Sequence, residues 1–273
     1  MSTELLAVAL DAARRAADLV RERAAEGVSV AATKSSDVDV VTWADRDSEA
    51  LIRRTILSQR PDDAFLGEEG DDVAGTSGVR WVVDPIDGTV NFLYGLPEYA
   101  VSVAAEVQGR IVAGAVINVP RRIEYTAHET ESGEVVSRRD GRPVAVRPPA
   151  PLGQRLLATG FNYDAAVREL QARALVRLLP RVRDVRRHGS AALELCHVAE
   201  GTLDGYFEEG VHLWDYAAGA LVARGAGARV EVRTGQAGTD LVVCAPAHGF
   251  DEALDAVVQA GFAAPGTGLG DGE

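Results

Sequence analysis

The chain has 273 residues, enough for one large domain or two intimate halves, and 47% of them are hydrophobic, enough to bury a substantial core. A formal net charge of −13 argues against nucleic acid and anionic membranes as main partners, because both need a basic footprint. Charges inside the opening segment speak against a secretory signal, and no apolar run reaches the roughly 18 residues of a membrane span. Cys196 and Cys244 lack metal-type spacing, so the expectation is a soluble, cytoplasmic protein with two reduced, buried thiols.

Leu5, Leu6, Ala9, Ala13, Ala16, Val20 and Ala24 recur at helical spacing and predict an amphipathic helix that closes on Gly27. A polar loop with a short strand, VAATKSSDVDVVTWADRD, leads into a second helix over 45–58. Short strands are expected at 64–66 and 80–83. A meander follows over 101–107, 111–119 and 123–128, with turns at Gly109 and at Pro120-Arg121-Arg122. Gly133, Asp140-Gly141 and Pro148-Pro149 punctuate a polar stretch and suggest a boundary near residue 150. Beyond it, strands at 155–160, 182–185 and 205–207 alternate with helices at 164–179, 191–200 and 215–225, which predicts α/β layering after an α+β first half. The domain reading is a single unit over 1–262, with halves meeting near 150 and a Gly- and Pro-rich flexible tail over 263–273.

The chemistry concentrates in acids. In WVVDPIDGTVNF an apolar strand ends in Asp84 and Asp87 and runs straight into Gly88-Thr89. Two carboxylates brought together are costly unless a cation neutralises them. The plainer alternative is a turn, with Asp84 as a helix cap and Asp87-Gly88 as a type I′ pair. A D-x-D-G-T phosphatase of the haloacid dehalogenase class fits poorly: here the spacing is three, and a one-residue slip along a strand turns a side chain to the other face. Glu68 and Glu69 end another short strand in LGEEG, and Asp215 heads an apolar helix in HLWDYAAGA. Three acidic clusters at strand ends and a helix start suit hard cations such as Mg²⁺, which take oxygen ligands and leave positions for substrate oxygens.

GEE, DPIDGTVNF and WDYAAG together, with GSAALELCHVAEGTLDGYFEEGVHLWDYAAGA through the second half, resemble the inositol monophosphatase family over nearly the whole chain. The resemblance implies a layered αβαβα sandwich, usually a homodimer, that hydrolyses small-molecule phosphate monoesters with two to three Mg²⁺ ions per subunit and is inhibited by lithium. It implies metal binding by Glu68, Asp84, Asp87, Asp215 and the Ile86 carbonyl. Thr89, paired with Asp45, would sit beside the attacking water, with Glu68 counted among the catalytic acids. Gly88 and Thr89 would cradle the phosphate, and Gly189, Ser190, Ala191 and Glu208 would hold the hydroxyls of a sugar alcohol. Lys34, the one lysine among 28 basic residues, matches a loop lysine near a third, looser ion. The implied reaction is in-line attack by an activated water, with no covalent enzyme intermediate.

Asn91-Phe92 after the DGT and Glu208 favour inositol phosphate as substrate. Fructose 1,6-bisphosphate, histidinol phosphate and 3′-phosphonucleotides are the alternatives, and a protein-binding role in a transcription complex is the alternative of another class. Two stretches depart from the pattern. TAHETESGEVVSRRDGRPV is short and charged where the family carries a Gly-Ala-rich hairpin, and RVRDVRRHG reads as a solvated strand edge, with a face toward the substrate or a dimer partner as the alternative. All five histidines, His188 among them, read as structural.

Overall fold

A computed structural model of the chain describes residues 1–27, 30–33, 40–70 and 72–264; Lys34 and the tail beyond 264 lie outside the described residues. Helix α1 (Ser2–Glu26) is followed by a two-stranded ribbon, β1 (Val30–Thr33) with β2 (Val40–Thr42), and by α2 (Trp43–Gln59). A seven-stranded sheet comes next: β3 (Ala64–Gly67), β4 (Val79–Asp87), β5 (Ala100–Val107), β6 (Arg110–Asn118), β7 (Ile123–Glu129), β8 (Val135–Arg139) and β9 (Arg142–Pro143), with the short helix α3 (Thr89–Tyr94) between β4 and β5. Its strands lie in chain order. Only β3 and β4 run parallel, and the rest is an antiparallel meander.

The second half contributes β10 (Leu156–Thr159), α4 (Ala165–Leu178), β11 (Asp184–Arg186), α5 (Ala191–Ala199), β12 (Gly205–Glu209), α6 (Leu213–Gly225), β13 (Ala228–Thr234), β14 (Asp240–Pro246) and α7 (Phe250–Ala260). These strands form a five-stranded sheet in the order β11-β10-β12-β14-β13, parallel at its first three strands and antiparallel at the rest.

The period-2 alternation of strand side chains sorts these elements into layers. On β4, Trp81 and Val83 face α1 and α2, where they pack with Leu5, Ala9, Val20 and Ile52, while Val82 between them faces α5 and α6. On β12, Tyr206 points to that same middle helical layer, and Phe207 points away to α4 and α7. The result is the αβαβα sandwich. Its middle layer packs on both sheets and fits tightly against the first: a Cβ on Gly114 of β6 would lie 3.0 Å from the Ala218 backbone of α6.

Most expected elements form within a residue or two of their bounds. β4 is the main difference: it continues beyond Val83 through Asp87. The charged hairpin also forms, because Asp140 and Gly141, with φ of 47° and 76°, take the left-handed turn that joins β8 to β9. The strand pair β13–β14 and helix α7 extend the architecture past the last expected helix. Cys196 and Cys244 are buried and unpaired. Among the described residues, no helix is long and apolar enough to cross a membrane.

Candidate active site

The spacing of Asp84 and Asp87 is resolved by a bulge. Side chains three apart on a regular strand face opposite ways, yet Asp84 pairs with Ser102 and Asp87 with Ala100, only two residues apart on β5. The extra residue on β4 brings both carboxyls to one face. Pro85, which has no N–H to donate, sits inside that irregularity. Asp84 Oδ1 then accepts the Ile86 N–H at 3.0 Å, fixing its side chain over the bulge.

Glu68 follows β3 directly, and the parallel register puts its neighbour Gly67 beside Val83, so Glu68 arrives next to Asp84 and shares a hydrogen bond with it. Asp215 lies in the first turn of α6, where one carboxylate oxygen accepts the His212 N–H at 2.5 Å. Burial pushes the Asp84 carboxyl well above the usual carboxylate range, and repulsion from Glu68, Asp87 and Asp215 pushes it further. Asp215 rises for the same reasons, with Glu68 and Asp87 as its repelling neighbours. A hydrogen bond between two carboxyls requires a shared proton. A divalent cation can replace that proton, and an all-oxygen set of four acids and the Ile86 carbonyl fits a hard one such as Mg²⁺.

Asp87 has a different environment. Its Oδ2 accepts the Ser190 hydroxyl at 2.6 Å and the Ala192 N–H at 2.7 Å, and its Oδ1 accepts the Ala191 N–H at 3.2 Å. The carboxylate thus caps the N-terminus of α5, where the helix dipole favours a negative charge. Burial still dominates and carries its pKa up to about 7. Of the positions implied to hold substrate hydroxyls, Ser190 and Ala191 therefore spend donors on Asp87.

Helix α2 supplies a polar face that the sequence conceals. Asp45, Ser48 and Glu49 fall at i, i+3 and i+4, and all are buried. Asp45 Oδ2 accepts both the N–H and the hydroxyl of Thr42, at 2.8 and 2.5 Å, while its Oδ1 faces the Thr89 hydroxyl at 3.0 Å. Burial raises its pKa to about 6 against these hydrogen bonds. The Ser48 hydroxyl donates to the Pro85 carbonyl at 3.1 Å, and Glu49 Oε2 accepts the Glu69 N–H at 2.7 Å. These two contacts hold the bulge and the GEEG loop in place. Sequence reading missed both residues; their helical spacing from Asp45 was the available signal.

The Thr89 hydroxyl lies 3.0 Å from the Ile86 carbonyl as well as from Asp45, so its single proton faces two acceptors. Gly88 before it has φ 95° and ψ 39°, and a Cβ there would lie 3.1 Å from the carbonyl oxygens of Glu98 and Gly189; only glycine fits. Glu208, on β12, accepts the Tyr206 hydroxyl at 3.0 Å, and burial lifts its pKa to about 7. Its carboxylate fills the space beside Gly160, where a Cβ would come within 1.9 Å of Oε1. Asp87 raises the Glu208 pKa and Glu208 raises that of Asp215, so Glu208 stands within electrostatic reach of the four acids. Gly189, with φ 95°, carries the chain past Asn91 into α5.

The five-layer sandwich and its clustered carboxylates fit the class that the motifs imply, metal-dependent hydrolases of phosphate esters. The model of the inositol monophosphatase family matches residues 1–261, and the chain belongs to that family. An inositol-1-monophosphatase of Mycobacterium bovis is 48% identical over 252 residues, which cover 90% of this chain and 87% of that protein. The Nus factor SuhB of Escherichia coli K12 is 36% identical over 233 residues, covering 85% and 86%. Among solved structures, Mycobacterium tuberculosis SuhB superposes with a TM-score of 0.80 at 42% identity, covering 95% of this chain and 98% of that one. The inositol monophosphatase from Anabaena (Nostoc) sp. PCC 7120 gives 0.81 at 27% identity, covering 94% and 96%.

Proposed function

We propose that this phosphatase hydrolyses inositol 1-phosphate to inositol and phosphate with Mg²⁺, and the observation that carries the reading is the convergence of Glu68, Asp84, Asp87 and Asp215 on one another. Two to three divalent ions held by these acids and the Ile86 carbonyl would supply Lewis-acid polarisation of phosphoryl oxygens and a more acidic water. The chain's own residues do the rest. The Thr89 hydroxyl orients the attacking water through a lone pair and, as that water gives up a proton, passes its own to Asp45. Asp45 must be ionised to receive it, which holds above its pKa of about 6. The N–H groups of Gly88 and Thr89 meet phosphate oxygens, Glu208 accepts hydrogen bonds from substrate hydroxyls, and the Gly189-Ser190-Ala191 turn closes the same side. A cytoplasmic homodimer and lithium inhibition complete the proposal, as the family resemblance implies.

Phosphate release from inositol 1-phosphate, fructose 1,6-bisphosphate, histidinol phosphate and a 3′-phosphonucleotide, each with Mg²⁺, with chelator and with lithium, tests it. Full activity in excess chelator overturns the metal role, and preference for another ester overturns the substrate. The relatives named Nus factor SuhB, 35–37% identical, favour a second reading as a partner in transcription complexes. A pull-down from a transcription lysate with an inactive Asp84→Asn chain separates the two, since a binding role needs no turnover.

A further inference from the structure

Away from the four acids, a second group of ligating side chains gathers at the start of α5. His188 Nδ1 lies 3.1 and 3.0 Å from Glu194 Oε1 and Oε2, and His197 Nδ1 lies 3.8 Å from Glu194 Oε2. One ligand atom from each residue falls within 4.8 Å of the others. Glu194 and His197 share a helix face at i, i+3. His188 precedes the helix, and Glu194 Oε1 anchors its backbone by accepting the His188 N–H at 3.0 Å. Asn91 Nδ2 donates to the carbonyls of both His188 and Glu98 at 2.6 Å, tying the two sides of the group together.

Glu98 completes the arrangement. Its Oε1 is buried and makes no hydrogen bond, yet it stands 3.3 Å from His197 Nε2. Its other oxygen lies 3.2 Å from Arg121. His197 lies between the carboxylates of Glu194 and Glu98, and a metal ion at its Nδ1 would leave the ring proton on Nε2, the nitrogen nearer Glu98. An imidazole ligand backed by a carboxylate is the common outer arrangement of zinc sites. Tetrahedral zinc with bonds of about 2.0–2.1 Å sets its ligand atoms about 3.3 Å apart; here the two pairs through Glu194 lie at 3.0 and 3.8 Å, and the two histidines within 4.8 Å.

We infer that His188, Glu194 and His197 form a site for a borderline transition-metal ion of the Zn²⁺ class, with a fourth position open and Glu98 as the outer partner of His197. Two imidazoles and one carboxylate discriminate against Mg²⁺, which prefers oxygen. The site is separate from the four acids but not remote in sequence: His188 lies two residues before Ser190, whose hydroxyl holds Asp87. An ion here therefore fixes the turn that presents Ser190 and Ala191.

The test titrates Zn²⁺ into the full-length protein in excess Mg²⁺ and follows the imidazole resonances of its five histidines. His188 and His197 should shift together and saturate at one equivalent, assigned by His188→Gln and His197→Gln. Each of these variants should lose the shift of the remaining partner, and Glu98→Gln should weaken binding by about ten- to a hundredfold. Each glutamine variant takes a partner from the buried Glu194 carboxylate, so it should melt below wild type, and the titrations are run well below its melting temperature. A shift confined to His212, the neighbour of Asp215, would place zinc only among the four acids. That result, or wild-type zinc affinity in His197→Gln, overturns the inference.

Discussion

Asp84 separates the fold from the chemistry. It is 2% exposed and surrounded by Glu68, Asp87 and Asp215, so without a cation its ionisation opposes folding. A carboxyl whose folded pKa is raised stabilises the native state fully below its unfolded value, and that contribution is lost as pH rises through the folded value. For Asp87 alone, a rise from 3.8 to about 7 corresponds to on the order of 4 kcal/mol lost across that window. Asp84→Asn removes one of the coupled charges and keeps the shape, and its amide oxygen can still accept the Ile86 N–H. Metal-free Asp84→Asn should therefore melt no lower than metal-free wild type at pH 7, with a shallower fall in stability between pH 5 and 8.

Mg²⁺ should reverse the order. At about 100 times its Kd an ion adds about 2.7 kcal/mol per site, which for a chain of this size raises Tm by about 5–10 °C. The variant should lose most of that gain, because a neutral amide holds the ion poorly. Turnover should fall on the order of a hundredfold or more, since metal polarisation is worth several kcal/mol. Thermal melts of both proteins in Mg²⁺ and in chelator, beside one phosphate-release assay, measure all of this. A variant with near wild-type activity and the same Mg²⁺-induced shift would make Asp84 a turn residue and nothing more.

Mg²⁺ binding near pH 6.5 should release protons, because Asp84, Asp87 and Asp215 all hold them above the usual range; titration heats that do not vary with the buffer's ionisation enthalpy would contradict this. Glu208→Ala should lower kcat/KM for inositol 1-phosphate by roughly ten- to a hundredfold, the worth of a charged hydrogen bond, and affect an aryl phosphate far less; equal losses would remove Glu208 from the substrate contacts. Gly160→Ala should reproduce that selective loss while the protein folds, because its Cβ displaces only the flexible end of Glu208. The acid limb of kcat/KM should fall near pH 6 as Asp45 takes up a proton, and a limb unchanged in Asp45→Asn would exclude Asp45 as the proton acceptor.

Helix α1 and the β5–β7 meander were legible because each buries one face against a single partner layer, so their apolar residues keep a clean period. β4 was not. Its last four residues are two acids, a proline and an isoleucine, and strand propensity stops at Val83; the strand persists because Asp87 is still paired with β5 across the bulge. Asp45, Ser48 and Glu49 look like a solvated face, yet they are buried because the bulge and the GEEG loop supply donors that no local rule anticipates. β13 and β14 were readable in the alternation of ARVEVRT and the apolar run LVVC, and α7 in the strongly amphipathic FDEALDAVVQA. His188 was read as structural because the hydrolysis needs no histidine, and its partners, Glu194 and His197, come together only once α5 forms.

The metal-ligand candidates were visible one by one in the sequence, whereas their assembly was not. Asp84 and Asp87 lie on the seven-stranded sheet and Glu68 directly follows its first strand, while Asp215 lies in the first turn of a helix of the second half. A bond that ties the first half to the second spans 103 residues, from the Ser190 hydroxyl to Asp87. No periodicity encodes it. It forms because α5 sits in the middle layer, pinned between the sheets by Leu193, Leu195 and Val198 on its apolar surface, with its N-terminus directed at the end of β4. Asp87 is thus both a member of the acid cluster and the cap of the helix that closes it. The site comes into being only when the two halves stack, and substitutions that loosen α5 should weaken Mg²⁺ binding without touching a ligand.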